Sequence, residues 1–179
     1  MLEFTPTRFA RATARRVAIG VVKKIKSMAK QLYLSFTHIS TYLSCPLKYK
    51  FHFVDGLGTV YRQERSYFSF GESLHQALAK FFRIKDIQNR TPEVLQNFLK
   101  QGWLSKGYSS KEEEADCKSQ AVSILEKFYK TADIKITPLY IEEFFRIPIG
   151  DNILSGKMDR VDKIEDGYEI IDYKTGKFL

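Results

Sequence analysis

Apolar residues recur at intervals of three and four through the first two thirds of the chain, which is the spacing of amphipathic helices. The clearest case begins at Phe68 and ends at Phe82, and its apolar stripe is formed by Leu74, Leu78, Phe81 and Phe82. Thr91, Pro92 and Glu93 follow one another in the order that favours a helix start. The pattern predicts helices over 35–45, 68–82, 91–104 and 110–130.

From Ile136 onward the period changes to two, which is the spacing of strands with one buried face. One strand is predicted over 140–147, a second from Ile153 through Asp159, and a third around Asp172. Helices followed by an antiparallel meander predict an α+β fold. We expect one domain over 32–179, preceded by a basic and poorly ordered extension over 1–31.

The dipeptide Asp166-Gly167 lies between two runs that alternate apolar and polar residues, a strong signal for a two-residue hairpin turn. With the turn at these positions, Asp159 lies opposite Lys174 and Val161 lies opposite Asp172. Side chains repeat every second residue on a strand, so Asp159, Asp172 and Lys174 share one face. The two aspartates become diagonal neighbours, with Cβ atoms roughly 7 Å apart.

This arrangement of charges fits metal-assisted hydrolysis of a phosphodiester. Two carboxylates at this separation can bind one Mg²⁺ ion, and a lysine beside them can orient water or offset developing negative charge. A solvated hairpin face with a cross-strand Asp–Lys ion pair explains the same residues, and such pairs are nearly neutral in energy. The geometry alone leaves both interpretations open and favours the second.

The charge of the chain suggests an anionic partner. The formal net charge is +8 and the sequence pI is about 9.4. Residues 1–50 contain ten Lys or Arg and one acid, Glu3. This stretch is interpreted as a solvated extension, with an anion-binding arm or a transit peptide as alternatives.

Composition also limits the class of protein. The apolar run 17–22 is far shorter than the roughly 20 residues that span a bilayer, so no membrane association is expected. Cys45 and Cys117 are too few for a disulfide framework, and a reducing cytoplasm is the expected location. Cys117 lies on a predicted helix and is interpreted as an inert thiol.

Two further features carry alternative interpretations. His75 borders the apolar face of the helix 68–82; there it serves as a hydrogen-bonded structural residue or as a metal ligand. The segment 47–53 alternates aromatic and basic residues, which suits stacking of bases and contact with phosphates but is also typical of an amphipathic core helix.

Five motifs, in this order along the chain, resemble the RecB-type branch of the PD-(D/E)XK nuclease superfamily. They are a hydroxyl-rich helix ending in Cys-Pro and an aromatic (35–49), Gly-x-x-x-His (71–75), a strand glutamate followed by aromatics (142–145), Gly-x-x-Asp-Arg (156–160) and Asp-Tyr-Lys-Thr-Gly (172–176). Each motif alone is weak, but five with suitable spacing are specific. The resemblance extends from about residue 34 to 177.

The resemblance implies a restriction-endonuclease-like core and a role for individual residues. Asp159, Asp172, His75 and the backbone carbonyl of Tyr173 would bind Mg²⁺ or Mn²⁺. Lys174 would position or activate the attacking water, and Glu142 would support the metal ligands. The substrate would be DNA, cut by an exonuclease rather than an endonuclease. The pathway would be DNA repair, recombination or related processing, with a helicase or another DNA-processing subunit as partner.

Two departures from the family pattern modify this expectation. The family's later helix with Gln-x-x-x-Tyr has no counterpart before Leu179, so the core is expected to be truncated at its C-terminus. Some members bind a [4Fe–4S] cluster through one early and three late cysteines. Cys45 matches the early position, but two cysteines alone cannot bind a cluster that takes about four. A catalytically inactive nucleic-acid-binding or scaffolding module with the nuclease fold is therefore the alternative function.

Overall fold

The computed structural model describes residues 31–61 and 63–175, together with the backbone pairing of Thr5–Pro6. Most of the predicted extension 1–31 lies outside these residues, so its poor order stays a prediction. In the described ranges, no helix combines the length and the apolar character that crossing a bilayer requires.

The helices come first in the described chain, as the apolar spacing predicts. They are α1 (Phe36–Ser44), α2 (Pro46–Tyr49), α3 (Leu57–Val60), α4 (Ser66–Phe82), α5 (Pro92–Gln101) and α6 (Lys111–Thr131). A π-helical turn, Lys50–Val54, follows α2, and a 3₁₀ turn, Ile87–Asn89, follows α4. The side chains of Ser35, Thr91 and Ser110 cap α1, α5 and α6 by accepting a backbone N–H three residues later.

The strands are β1 (Thr5–Pro6), β2 (Tyr33–Leu34), β3 (Tyr140–Ile149), β4 (Asn152–Ile164), β5 (Gly167–Ile171) and β6 (Tyr173–Lys174). The long β4 is the centre of the sheet. It pairs antiparallel with β3 and β5 and parallel with β2, while β6 pairs antiparallel with β1. The predicted α+β class is confirmed, and the sheet is mixed because β2 joins it in parallel.

The helix α4 forms the middle of the hydrophobic core. Its residues Leu74, Ala77, Leu78 and Phe81 are fully buried. They pack in one cluster with α5, α6 and the end of the sheet, through Leu95, Leu99, Ala121, Leu125, Ile171 and Tyr173. This packing fixes α4 against the strands, so a polar residue on its edge faces the sheet from a defined position.

The predicted hairpin forms, but its turn is one residue earlier than predicted. Ile164 pairs with Gly167, and Arg160 pairs with Ile171, so the loop residues are Glu165 and Asp166. Gly167 has φ of 148°, a conformation that favours glycine, and it therefore begins the returning strand instead of completing the turn. The predicted pairing of Asp159 with Lys174 is wrong, because the hairpin register differs from the predicted one by two residues and the β4–β5 ladder ends at Ile171.

The hairpin ladder ends just before Asp172. The backbone N–H of Tyr173 donates to Asp159 Oδ2 at 2.7 Å, so this donor is taken by a side chain. Tyr173–Lys174 then pairs with Thr5–Pro6, in the register Thr5 with Lys174. The Asp159 side chain thus holds the returning strand just after its pairing with β4 ends.

Candidate metal centre

Three side chains from three elements converge where α4 approaches the β3–β4 ladder. His75 comes from α4, Glu142 from β3 and Asp159 from β4, and one ligand atom of each lies within 4.8 Å of the other two. His75 Nδ1 lies 3.4 Å from Asp159 Oδ1 and 3.8 Å from Glu142 Oε1. All three are largely withdrawn from solvent, and the side chain of Asp159 is 10% exposed.

The peptide of Tyr173 holds two of these ligands. Its carbonyl oxygen lies 2.9 Å from His75 Nε2, and its N–H donates to Asp159 Oδ2 at 2.7 Å. With Nε2 donating to the carbonyl, a neutral imidazole presents the lone pair of Nδ1 toward the two carboxylates. Two predicted site residues, His75 and Tyr173, are thus joined by one hydrogen bond.

Glu142 faces Asp159 across the β3–β4 ladder in an unusual backbone conformation. The neighbouring pairs are Ile141 with Arg160 and Glu143 with Met158, whereas the position between them is not paired. Glu142 has φ of 58°, the left-handed region that disfavours side chains other than glycine, asparagine and aspartate. Strain of this kind concentrates at functional sites.

Two lysines flank the carboxylates. Lys174 Nζ lies 2.5 Å from Asp172 Oδ2, and the Lys174 side chain is 54% exposed. Lys157 pairs with the carboxylate of Glu142 from the same face of β4 as Asp159. Sequence reasoning missed Lys157, although its position two residues before Asp159 was a usable signal.

The electrostatics of the cluster favour its charged forms. Burial lowers the pKa of His75, but contacts with Asp159, the Tyr173 carbonyl and Glu142 outweigh it, so the His75 pKa is raised. Burial raises the pKa of Asp159, but His75, the Tyr173 N–H and Asp172 outweigh it, so that pKa is lowered. Asp172 thus lies next to Asp159. The residues whose ligand atoms lie within 4.8 Å of one another are His75, Glu142 and Asp159.

The donor set fits a divalent cation. Carboxylate oxygens suit Mg²⁺ and Mn²⁺, and one imidazole nitrogen is compatible with Mn²⁺ and other first-row ions. Within 31–61 and 63–175, these three residues are the only group of this kind. The approach of the Glu142 and Asp159 carboxylates to each other is a feature that a bound cation would offset.

Cys45 has a local structural role. Its Sγ accepts the backbone N–H of Lys48 at 3.4 Å and so caps α2. Cys45 and Cys117 are both free thiols. The cysteine contribution to a [4Fe–4S] cluster stays a prediction that requires further cysteines.

The comparisons with known proteins agree with this geometry. The family model of the PD-(D/E)XK nuclease superfamily matches residues 33–178. No curated protein and no solved structure matches the chain.

Proposed function

Because the chain belongs to the PD-(D/E)XK nuclease superfamily, we propose that it is a divalent-metal-dependent deoxyribonuclease of the RecB type. The observation that carries this proposal is the convergence of His75, Glu142 and Asp159, with one ligand atom of each within 4.8 Å of the others. The proposed metal ligands are His75, Asp159 and Asp172, with Glu142 joining them from β3; the Tyr173 carbonyl, a ligand in the family pattern, is proposed to hold the His75 ring through Nε2 instead. Mg²⁺ and Mn²⁺ are the proposed cofactors.

The residues of the site divide the work of phosphodiester hydrolysis. A divalent cation bound here would polarise a phosphate oxygen and lower the pKa of a water molecule. Asp159, held by the Tyr173 N–H, keeps a fixed carboxylate at the centre of the cluster. Asp172 and Lys174 form an ion pair at its more open side, where Lys174 orients the attacking water and offsets negative charge on the phosphate.

The proposed substrate is DNA, and the proposed mode of action is exonucleolytic. The family supplies this expectation, and the net charge of +8 favours a polyanion as partner. We place the activity in DNA repair, recombination or related processing, beside a helicase or another DNA-processing subunit. Two free thiols fit a reducing compartment, so the cytoplasm is the proposed location.

The test is cleavage of end-labelled linear DNA, single- and double-stranded, with Mg²⁺ or Mn²⁺. We expect the wild type to cut linear DNA and to spare a covalently closed circle. Asp159→Asn keeps the size of the side chain but removes its charge. We expect at least about a hundredfold slower cutting, more than is typical when only an outer-shell partner is removed.

The matched control is Asp151→Asn, which changes an exposed aspartate in the turn between β3 and β4. It should cut at the wild-type rate. Equal cutting by Asp159→Asn and the wild type would refute the assigned site. Salt-dependent DNA binding without cutting in either metal would identify the chain as a non-catalytic binding module.

A further inference from the structure

An ion pair lies buried on β4 next to the proposed metal centre. Arg160 and Asp162 alternate with Asp159 along the strand, and Arg160 faces the helical core, because its strand partners Ile141 and Ile171 pack there. Arg160 is 7% exposed and Asp162 is 0% exposed. Neither residue has a part in the chemistry described above.

Arg160 connects three elements from this buried position. Its Nη1 donates to the hydroxyl of Tyr173 at 3.1 Å, and its Nη2 lies 2.9 Å from Asp162 Oδ2. Its guanidinium also lies 4.3 Å from the ring centroid of Phe82, which is two turns after His75 on α4. The side chain of Tyr173 is therefore held from within the core, by Arg160 of β4.

The backbone of the same tyrosine contacts two of the proposed ligands. The Tyr173 carbonyl contacts His75 Nε2, and the Tyr173 N–H donates to Asp159 Oδ2. Tyr173 itself is 4% exposed, and its ring packs edge-on against the rings of His75 and Phe128. A shift of this one residue would move both ligand contacts together.

Stability does not explain the buried pair. Among the described residues, Arg160 Nε and both oxygens of Asp162 lack a hydrogen-bond partner of good geometry. An incompletely bonded buried ion pair is commonly no better for folding than well-packed apolar residues, and replacing both partners is often neutral or stabilising. A feature that adds little to the fold, lies on the strand of Asp159 and contacts Tyr173 points to a positioning role.

We propose that Arg160 and Asp162 are positioning residues that fix Tyr173, so that its peptide aligns His75 and Asp159 for cation binding. The inference rests on the proposed metal site. Asp162 orients the Arg160 guanidinium, Arg160 holds the Tyr173 hydroxyl, and the Tyr173 carbonyl selects the His75 tautomer that leaves Nδ1 free as a ligand. Partners of this kind typically change metal affinity by about 10- to 100-fold when they are removed.

The decisive variant replaces both members of the pair, Arg160→Met with Asp162→Leu. We expect the thermal midpoint to stay equal or rise, while Mn²⁺ affinity, measured by titration calorimetry, falls about 10- to 100-fold. A purely structural pair would give the opposite result, a lower thermal midpoint with unchanged Mn²⁺ affinity. That result would overturn the proposal.

A second variant keeps the test valid if the double variant does not fold. Tyr173→Phe removes only the hydroxyl, and Tyr129→Phe is its matched control, because the Tyr129 hydroxyl donates to the Arg90 carbonyl at 3.0 Å. Only Tyr173→Phe should weaken Mn²⁺ binding, by about tenfold or more. Equal Mn²⁺ affinity in both variants would refute the positioning role.

A metal-free readout separates this proposal from the proposed function. Nitrogen-15 NMR of the His75 ring, in EDTA and at alkaline pH, should show one dominant tautomer protonated at Nε2 in the wild type. We expect a mixture of tautomers in the double variant and in Tyr173→Phe. Failure of the wild type to bind Mn²⁺ would count against the nuclease site, whereas an unchanged tautomer in both variants would count against positioning.

Discussion

The charge state of His75 is set by the residues that surround its ring. Burial favours the neutral imidazole, but Asp159, the Tyr173 carbonyl and Glu142 together favour the cation and raise the His75 pKa above 6.5. In the folded, metal-free protein the proton therefore stays on to a higher pH than in the unfolded chain. The resulting stabilisation is fully present below the unfolded pKa and disappears as pH rises through the folded pKa.

His75→Gln should remove this pH dependence. In EDTA, we expect the free energy of unfolding of the wild type to fall as pH rises above the ordinary histidine pKa and through the raised pKa of the folded state, and that of the variant to fall less. Urea unfolding at stepped pH measures the difference. Parallel curves for the two proteins would show that His75 does not gain a proton from folding.

Glu142 combines a ligand position with a backbone that disfavours it. A left-handed conformation costs a residue with a side chain about 1–2 kcal/mol, and the Glu142 carboxylate also approaches that of Asp159. Neither cost is offset by apolar packing, because Glu142 is not part of the hydrophobic core cluster. The unusual backbone at Glu142 is explained by its carboxylate, which lies close to the ligand atoms of His75 and Asp159.

Glu142→Gly should therefore raise metal-free stability by about 1 kcal/mol and weaken Mn²⁺ binding. Glu143→Gly is the matched control, because Glu143 is an exposed strand residue that pairs with Met158 in the regular register. It should lower stability by about 0.5–1 kcal/mol. Urea unfolding compares the two, and a decrease in stability in both variants would contradict the strain at Glu142.

At the scale of elements, Arg90 joins the end of α4 to the segment that enters β3. It is 2% exposed, and its guanidinium donates to the carbonyls of Phe82, Ile84, Ile134 and Ile136 at 2.6–3.1 Å. The helix that carries His75 and the strand that carries Glu142 are thereby fixed to each other. One buried guanidinium thus joins the segments next to two elements that carry proposed ligands.

Arg90→Lys should destabilise the protein by about 3 kcal/mol, because an ammonium cannot reproduce the planar fork and leaves buried carbonyls unpaired. Arg83→Lys is the control, since Arg83 is exposed and donates to the Ile141 carbonyl at 3.3 Å. It should change stability by less than about 0.5 kcal/mol. Comparable destabilisation in denaturant titrations of the two variants would refute the special role of Arg90.

Sequence reasoning predicted the elements better than their connections. The helices α4, α5 and α6 follow from apolar spacing, and α5 and α6 also begin with hydroxyl caps; both are local signals. The hairpin was predicted with its turn one residue late, because Asp166-Gly167 fits a tight turn as well as a strand start. The parallel pairing of β2 with β4 had no local signal, since it joins residues far apart in sequence.

The site was predicted in part for the same reason. Asp159 and Asp172 lie close together on one hairpin, so their proximity could be predicted from strand period and the position of the turn. His75 and Glu142 come from other elements, and only the family resemblance connected them to the aspartates. Arg160 and Asp162 were not singled out, because the pattern of alternation does not reveal a buried ion pair.

At the scale of the whole molecule, the net positive charge is concentrated in the N-terminal part of the sequence. Residues 1–30 contain eight Lys or Arg and one acid, which accounts for seven of the eight net charges. The remainder of the chain is nearly balanced in charge. Electrostatic attraction to DNA should therefore depend on a stretch separate in sequence from the metal ligands.

Replacing the eight basic residues of 1–30 with Gln should weaken DNA binding and make it less sensitive to salt. The log–log slope should decrease by up to about 0.9 for each DNA phosphate that the variant no longer neutralises. Mn²⁺ affinity should stay unchanged, because the proposed ligands lie elsewhere in the sequence. Fluorescence anisotropy with labelled DNA at stepped salt concentrations measures both the affinity and the slope.

The control for this variant replaces eight other lysines with Gln, namely Lys85, Lys100, Lys106, Lys111, Lys118, Lys127, Lys130 and Lys135. It lowers the net charge by the same amount but leaves residues 1–30 intact. We expect it to bind DNA more tightly than the first variant does. Equal DNA affinities for the two variants would show that net charge alone, and not its location, controls binding.

The left-handed backbone at Glu142 has a consequence for laboratory evolution of this protein. A library challenged only by heat would enrich glycine or asparagine at position 142, since either relaxes the main chain there. The selected variants would be more resistant to heat but would bind a cation less tightly. Selection for thermal resistance alone would thus remove the carboxylate at this position, unless catalytic turnover were selected in the same round.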